Sequence, residues 1–487
     1  MAQPKFCTVN DSQIFPRLHQ GLPWIIESLM VITAVLFLSP ISAQESKNEG
    51  LTEIGFARVD ITPGEPIRLS GYRVRSEPTG EVDGKLWAKA LAIGSDRQKP
   101  AVLITVELVG ITRTITDTLA ERLTKTAGVT RDQLAVCVTH THSGPFVKGN
   151  LPNIFGKPIP TEHQKAIDRY KIELEEKLER VALEALRQRK PARLSWSQGK
   201  VDFAANRRTG YLKRSLKKGA KPPAPVDHDL PALFVHSPDG KFLAALLSYA
   251  CHCTTLGGNE YNRIHGDWAG EAAMQIENRY PDALAMVAIG CGADQNPNPR
   301  GSLAYVKAHG QQIADEIDRL LKQTRRPLHS IPQCRYRIAE LPFGKLPTEA
   351  DLKQRLKSKT ERVRYYAQIL LDRKSQGIEL PGTLKYPIQT WTFGNDLAMV
   401  FLPGEVVVDY GLRLKRELDS SRIWVNGYSN DVPCYIASKR VIGEGGYEVD
   451  TSMDSYDKPT RFDPSVENII IKKTHELLPD TFRIRNN

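Results

Sequence analysis

Hydrophobic and polar positions along this chain follow two periods, one typical of buried strands and the other of amphipathic helices. Unbroken apolar runs of strand length occupy residues 101–109 and 283–290. Longer stretches at 113–127, 162–189 and 303–321 repeat apolar residues every three or four positions, which predicts helices with one buried face. Strands that alternate with helices are typical of α/β folds. We therefore predict an α/β fold with a mixed sheet core flanked by helices.

The remaining elements follow from the same two periods and from turn residues between them. Further strands are predicted at 54–61, 86–94, 192–205, 233–236, 242–250 and 423–426, and a hairpin at 388–402 that turns at Gly394-Asn395. Further helices are predicted at 267–278, at 348–377, from Glu405 to about 418, and at 466–479. The segment 348–377 is strongly charged, which favours a helical insertion on the surface.

The buried strands share one feature, which is that conspicuous polar residues follow their ends. These residues are His140 and His142, His252, Asp294 to Asn298, and Glu405. Each of these residues, taken alone, is explained equally well as a helix cap or a turn residue. Four such occurrences together indicate one shared site. Polar groups gathered at the ends of strands are the usual location of a site in α/β sheets. The sequence therefore predicts a functional site at this edge of the sheet.

The first of these stretches carries the most specific chemistry. Residues 136–145 read Val-Cys-Val-Thr-His-Thr-His-Ser-Gly-Pro, a β-branched strand that enters a polar turn. On an extended backbone, positions i and i+2 face the same side, so His140 and His142 point together. Such a pair can supply two nitrogens to one metal, or one ligand and one proton shuttle. A polar loop with two exposed histidines is the alternative that this motif alone leaves open.

Composition and charge narrow the class of protein. The chain has 487 residues, of which 40% are hydrophobic and 25% charged, so it can bury a large core. Its net charge of +11 favours acidic partners, but the densest basic run, 207–221, is expected to be a solvated loop. Zinc-finger spacing, RNA-binding aromatic signatures and helix-turn-helix patterns are absent from the sequence, which argues against nucleic acid. Peripheral contact with anionic surfaces stays open.

The amino-terminal segment is typical of an export signal. A short apolar run at 29–38 follows Lys5 and Arg17, and small residues then offer a cleavage site after Ala43. We expect residues 1–43 to be removed and the protein to be secreted or periplasmic. The long segment before the apolar run, and Glu27 within it, leave an uncleaved signal anchor as the alternative.

Cysteine usage is compatible with export but does not require disulfides. Seven cysteines are present, and Cys7 lies in the predicted signal. Most of the other six lie in apolar runs or beside motifs, so we expect buried thiols. Cys251 and Cys253 flank His252, and we rank this pair below the histidine as metal ligands.

The order and spacing of these motifs resemble the neutral/alkaline non-lysosomal ceramidase family. Members of that family are secreted zinc amidases that hydrolyse the N-acyl bond of ceramide, a step in sphingolipid metabolism. The motifs that carry the resemblance are Gly55-Phe-Ala-Arg-Val-Asp-Ile-Thr-Pro63, Gly71-Tyr72, His140-Thr-His-Ser-Gly-Pro145, Asn206-Arg207, His252-Cys-Thr-Thr-Leu256, Asp267-x-x-Gly270, Asp294-x-x-Pro297-Asn298, Pro403-Gly404-Glu405, Tyr435-Ile436 and Tyr447-Glu448. They extend over nearly the whole chain after the signal.

The resemblance implies a site and a reaction. One zinc per chain would be held by His140, His252, Glu405 and Tyr435. The residues that it implies for catalysis are His142 beside the metal, Arg207 and Tyr447 facing the scissile group, and Asp267 and Asn296. It implies hydrolysis of linear N-acyl amides of lipid or small-molecule substrates, with zinc-bound water as the nucleophile.

Two departures from the family pattern widen the range of expected substrates beyond ceramide. Asn296 stands where the family has a serine, so a mechanism that needs a serine nucleophile fails while a zinc-based one survives. The chain also ends soon after the last predicted helix, so we expect one hydrolase domain over 44–487 without the family's carboxy-terminal immunoglobulin-like domain.

Two other classes of function compete with an amide hydrolase. A non-catalytic protein of the same fold could bind a lipid or a glycan, although a binding module does not need a metal site with an open position. A metal-dependent phosphohydrolase or esterase would favour more carboxylates around two metals, for which Asp267 and Asp294 are available. The sequence leaves the true substrate and the oligomeric state open.

Overall fold

The computed structural model describes residues 50–209, 224–257 and 261–484, and every structural statement below concerns these residues. The predicted signal, residues 1–43, and most of the basic run 207–221 lie outside them.

The described residues form a mixed α/β structure, as predicted. The strands are β1 Leu51–Asp60, β2 Trp87–Ile93, β3 Ala101–Val106, β4 Leu134–Val138, β5 Lys190–Lys200, β6 Ala204–Asn206, β7 Asp229–His236, β8 Phe242–Tyr249, β9 Leu284–Ile289, β10 Gln295–Pro297, β11 Arg326–Leu328, β12 Gln333–Pro342, β13 Thr383–Phe393, β14 Leu397–Phe401, β15 Glu405–Val406, β16 Ile423–Asn426 and β17 Tyr435–Ile436. The helices are α1 Arg113–Ala127, α2 Thr161–Arg187, α3 Asp267–Arg279, α4 Leu303–Leu321, α5 Glu349–Arg355, α6 Glu361–Ser375, α7 Val408–Glu417, α8 Lys439–Glu444 and α9 Val466–Leu477.

The larger sheet is nine-stranded and runs in the order β4-β3-β2-β1-β5-β7-β8-β9, with β11 added beside β5. The outermost pairs at the two ends, β3 with β4 and β8 with β9, are parallel, and the other pairs are antiparallel. Parallel pairing aligns the carboxyl ends of neighbouring strands. The loops that follow β4, β8 and β9 carry His140, His252 and Asp294, respectively.

Each face of the large sheet packs on a different layer because successive side chains alternate between the two faces. Ala88, Ala90 and Ala92 of β2 contribute to the core shared with helices, and α2 packs across β1 and β2. On the other face, a second cluster joins Leu91 to Trp424 of the four-stranded sheet β12-β13-β14-β16. Helix α9 covers β12 and β13. The core therefore lies on both faces of the large sheet.

A short segment, residues 427–430, connects the two ends of the large sheet. The Gly427 amide donates to the carbonyl of Ile289 at the end of β9, at 3.0 Å. The Val138 amide of β4 donates to the carbonyl of Tyr428, at 3.1 Å. Because one segment bonds to both β4 and β9, the loops after these strands are brought to the same place. This closure positions the candidate site.

The structure differs from the predicted elements in several places. Strands β11 and β17 and helix α8 are short and were not predicted. Strand β12 was not predicted because half of its side chains are exposed, among them the charged Arg335, Arg337 and Glu340, which interrupt the apolar pattern. The predicted helix 348–377 is two helices, α5 and α6, and the predicted strand 192–205 ends at Lys200 and resumes as β6.

The predicted thiols agree with the structure. The six cysteines of the described residues are free, and five of them are buried. A search of the described helices finds none with the length and apolar character needed to cross a bilayer.

Candidate active site

His140 is turned inward by an unusual backbone conformation. It follows β4 with a φ of 60°, in the left-handed region that non-glycine residues seldom occupy. Its Nδ1 lies 2.5 Å from the carbonyl oxygen of Val109, beyond β3. A carbonyl oxygen only accepts, so Nδ1 carries the hydrogen, and in the neutral ring the lone pair is on Nε2. The side chain is 1% exposed, and Nε2 points at Glu405.

His252 is held in the same way from the other end of the sheet. Its Nδ1 donates to the carbonyl of Gly292, at 2.8 Å, which again leaves the lone pair on Nε2. Its amide donates to the carbonyl of Gln295, at 2.9 Å, and its carbonyl accepts from the indole of Trp268. The loops after β8 and β9 therefore fix the ring by both its backbone and its Nδ1.

Glu405 and Tyr435 reach the histidines from two very short strands. Strands β15 and β17 are parallel, and Glu405 is directly opposite Tyr435 in their register. The Glu405 Oε2 lies 3.2 Å from Nε2 of His140 and 3.1 Å from Nε2 of His252. The Tyr435 hydroxyl lies 3.5 Å from Nε2 of His252. Four side chains from four separate segments thus surround one point.

The chemistry of these atoms fits a bound cation. Burial lowers the pKa of His252 to about 4, although Glu405 opposes it, so the ring is neutral at neutral pH. Glu405 is 2% exposed and lies between the two rings. With Nδ1 of both rings bonded to carbonyls, Nε2 of each neutral ring and the Glu405 carboxylate present lone pairs to one point. A metal ion satisfies such a set, and nitrogen and oxygen donors suit zinc.

His142 lies beside this set. Its Nε2 is 3.2 Å from Nε2 of His140, and one ligand atom from each of His140, His142 and His252 lies within 4.8 Å of the others. The ring packs edge-on against Tyr72, with centroids 4.8 Å apart, and its Nδ1 has no hydrogen-bond partner among the described residues. Burial and the neighbouring His140 lower its pKa well below the usual value. The ring is therefore a neutral proton acceptor at the site.

Arg207 connects the candidate ligands to the open side of the site. Its Nη2 donates to the Tyr435 hydroxyl at 3.1 Å, and its Nε donates to Glu448 at 2.8 Å. Burial raises the pKa of Tyr435 well above its usual value, and the Arg207 guanidinium opposes this effect. The Tyr447 ring lies 5.4 Å from that of Tyr435 and is 42% exposed. Tyr447 therefore stands at the mouth of the site.

Comparison with known proteins decides the family. The family model described as "Neutral/alkaline non-lysosomal ceramidase, N-terminal" matches residues 53–301, which is about half of the chain. The chain belongs to this ceramidase family. The resemblance seen in the motifs is thereby confirmed, and the family and fold support a ceramidase-like hydrolase.

Solved structures agree on the fold of this ceramidase-family chain. A structure described as "Ceramidase complexed with C2" matches 90% of the chain and 78% of its own, with a TM-score of 0.67 and 17% identity. A neutral ceramidase from Pseudomonas aeruginosa matches 90% and 77%, with a TM-score of 0.66 and 17% identity. A comparison with curated proteins finds no match.

Two residues predicted for catalysis occupy different positions. Asn296 lies on β10, next to the Gln295 carbonyl that holds His252, and its Oδ1 is buried without a hydrogen-bond partner among the described residues. Its predicted role in orienting a substrate group stays a prediction. Asp267 instead accepts the backbone N–H groups of Thr255, Leu256 and Trp268. These bonds fix the loop after His252, so we reassign Asp267 from a catalytic to a positioning residue of this ceramidase-family site.

Sequence reasoning missed Tyr456, which contacts a candidate ligand directly. It is 3% exposed, and its hydroxyl donates to Oε1 of Glu405, the oxygen that does not face the histidines. Tyr456 lies in the turns that follow a short π-helical segment, Tyr447–Thr451, and the sequence contains no signal that places it near Glu405. Only the folded loop brings it there.

Proposed function

We propose that this chain is a zinc-dependent hydrolase of linear N-acyl amide bonds, with one zinc held by His140, His252, Glu405 and Tyr435. The observation that carries the proposal is the convergence of two Nε2 lone pairs on the Glu405 carboxylate, with Nδ1 of each ring committed to a carbonyl. Such partners fix the orientation of metal-binding histidines. The substrate class, a lipid or small-molecule amide, comes to the chain from its family.

A zinc ion at this point would polarise the acyl carbonyl and lower the pKa of a water molecule that it binds. The residues of the chain supply the rest. His142, whose Nε2 faces the same point, accepts a proton and delivers it to the nitrogen of the leaving amine. Arg207 holds the oxygen of Tyr435, and Tyr447 at the mouth of the site can donate its hydroxyl to the developing oxyanion.

The competing phosphohydrolase is not favoured by the positions of the acidic residues. A two-metal site needs several carboxylates with free oxygens. Both oxygens of Asp267 accept backbone amides. Asp294 accepts the Val408 amide at 2.9 Å and the Asn206 side chain at 2.8 Å. Glu405 is the carboxylate that faces the histidines among the described contacts, which supports a single metal.

Removal and return of zinc test the proposal. The purified protein is stripped with a chelator, reloaded with zinc, and assayed on a long-chain N-acyl amide, with release of the fatty acid as the readout. We expect activity to disappear on stripping and return with zinc, whereas His252→Ala stays inactive because it has lost a ligand. Equal activity of the stripped and reloaded protein would rule the proposal out.

Export belongs to the same proposal and rests on the apolar run at 29–38 and the small residues before Gln44. Amino-terminal sequencing of the exported protein is expected to begin at Gln44. A sequence that begins upstream of residue 30 would contradict cleavage of this signal.

A further inference from the structure

The mouth of the site carries a guanidinium that is not part of the proposed catalytic machinery. Arg73 is exposed, and its guanidinium lies 5.4 Å from the centre of the Tyr447 ring. Arg207 lies 5.6 Å from the same ring. Arg207 is paired with Glu448, whereas Arg73 forms no hydrogen bond or ion pair with any residue that the structure describes. Arg73 is therefore available to a ligand that enters beside Tyr447.

Two buried arginines, Arg68 and Arg75, are close to Arg73 in the chain. Arg75 is buried, and its guanidinium donates to the carbonyls of Ser70, His142 and Tyr261. Arg68 is 1% exposed and donates to the carbonyl of Arg75, at 2.6 Å, while its Nε and Nη1 have no partner among the described atoms.

The three guanidiniums share the absence of a close acidic partner in the described part of the chain. Within residues 50–209, 224–257 and 261–484, none of Arg68, Arg73 and Arg75 has a carboxylate within 4.0 Å, and the hydrogen bonds of the two buried ones are to carbonyls.

Apolar surface accompanies this charge. Val74, next to Arg73, is 58% exposed, and Tyr447 presents 42% of its surface. A rim that combines exposed apolar side chains with an unpaired guanidinium suits an amphiphile with an anionic group. The apolar part of the ligand then contacts apolar side chains, and the anion contacts the guanidinium. Unpaired positive charge at a cleft also attracts anions from solution.

We propose that the preferred substrate is an N-acyl compound whose amine half carries an oxyanion, and that Arg73 is the residue that selects it. The inference rests on the proposed amide hydrolysis. The oxyanion belongs to the amine half because a hydrocarbon chain passing Arg73 would strip water from the guanidinium without replacing its hydrogen bonds. An oxyanion replaces them with charge-assisted bonds. Carboxylates, sulfonates and phosphates share this chemistry.

The test uses three N-lauroyl amides with the same two-carbon spacer. N-lauroyltaurine ends in a sulfonate, N-lauroyl-β-alanine in a carboxylate and N-lauroylethanolamine in a neutral hydroxyl. Each consumes one water and yields laurate and the free amine compound. We measure kcat/KM for each with the zinc-loaded parent, Arg73→Gln and the matched control Arg97→Gln, whose exposed arginine lies in the turn between β2 and β3, at the end of these strands away from His140.

The parent is expected to favour the anionic substrates, and the sulfonate and carboxylate arms show which oxyanion fits better. Arg73→Gln should lower the ratio of anionic to neutral kcat/KM roughly fivefold, the size expected for one partly exposed charge pair. Higher salt should lower the ratio of the parent, because it screens exposed charges. Arg97→Gln should leave the ratio unchanged. An equal ratio in the parent and Arg73→Gln overturns the inference.

Binding separates this inference from the proposed function. The affinity of N-lauroyltaurine for the zinc-loaded proteins is measured by calorimetry under the same conditions. If no amide is hydrolysed but Arg73→Gln weakens binding relative to Arg97→Gln, the proposed reaction is wrong and the assignment of an anionic ligand to Arg73 holds. If the amides are hydrolysed and both variants bind N-lauroyltaurine equally, the reaction holds and the role of Arg73 is wrong.

Discussion

Glu405 and Asp294 are both buried carboxylates that follow buried strands, yet they face different surroundings. The oxygens of Asp294 accept the Val408 amide and the Asn206 side chain, so donors surround it. One oxygen of Glu405 accepts the Tyr456 hydroxyl, and the other faces two imidazole nitrogens that carry lone pairs. Asp294 is satisfied by the fold itself. The second oxygen of Glu405 lies among ligand atoms that suit a bound cation.

This contrast shows how a carboxylate that stabilises the fold differs from one that is suited to bind a metal. Burial does not separate them, since Asp294 is 0% and Glu405 2% exposed. The partners do, because donors from the protein already bond to the oxygens of Asp294, whereas the imidazole nitrogens around Glu405 suit a bound cation. Glu107 is a third buried carboxyl group, whose Oε2 accepts the Trp87 amide at 3.1 Å.

Removal of the charge at each carboxylate tests the contrast most strongly. Glu405→Gln should lose the single bound zinc and all measurable amide hydrolysis, because the neutral amide is a poor ligand. Asp294→Asn should keep its zinc, since the residue touches only protein donors. Elemental analysis of the two folded variants gives the answer. If Asp294→Asn loses zinc while Glu405→Gln retains it, the assignment of the two roles is wrong.

His142→Ala tests which histidines hold the metal. Its imidazole is expected to move a proton rather than bind zinc, so kcat should fall by ~10²–10⁴ while the zinc content stays at one per chain. The measurement pairs turnover of a long-chain N-acyl amide with elemental analysis. Loss of zinc in this variant would make His142 a ligand, and one of the four proposed ligands would then be displaced.

Tyr456→Phe sharpens the contrast at Glu405 itself. The hydroxyl fixes the oxygen of Glu405 that faces away from the histidines, and removal of such a partner typically costs ~10–100-fold in metal affinity. Competition with a chelator measures the affinity. Tyr170→Phe is the control, because it removes another buried hydroxyl, bonded to the carbonyl of Ile61, far from the site in the chain. Equal zinc affinity of the two variants would remove Tyr456 from the metal site.

Glu107→Gln should affect stability alone. Burial raises the pKa of Glu107 to about 7, from an ordinary value of 4.5. The charged form is therefore disfavoured in the fold, and this cost is absent below pH 4.5, grows between pH 4.5 and about 7, and is complete above that range. The variant should exceed the parent in unfolding free energy by up to about 3 kcal/mol at pH 8 and by little at pH 4. Denaturant unfolding at both pH values measures the difference, and a difference independent of pH contradicts it.

The sequence was sufficient for the parts of the site that strands present directly. His140 and His252 follow β4 and β8, whose apolar runs are unmistakable, so their place at the sheet edge was predictable. Strands β15 and β17 have two residues each, too few for a period, so Glu405 and Tyr435 were named as ligands only through the family resemblance, and their register was not predicted. Tyr456 and the closure by residues 427–430 depend on long-range contacts in irregular backbone, which local patterns do not encode.

The most direct measurement of the central claim is anomalous diffraction at the zinc edge from crystals of the zinc-loaded protein. We predict one peak per chain, at about 2.0–2.2 Å from Nε2 of His140, Nε2 of His252, Oε2 of Glu405 and the hydroxyl oxygen of Tyr435. The absence of a peak at this position, or a peak bound by His142 in place of Glu405 or Tyr435, would contradict the account.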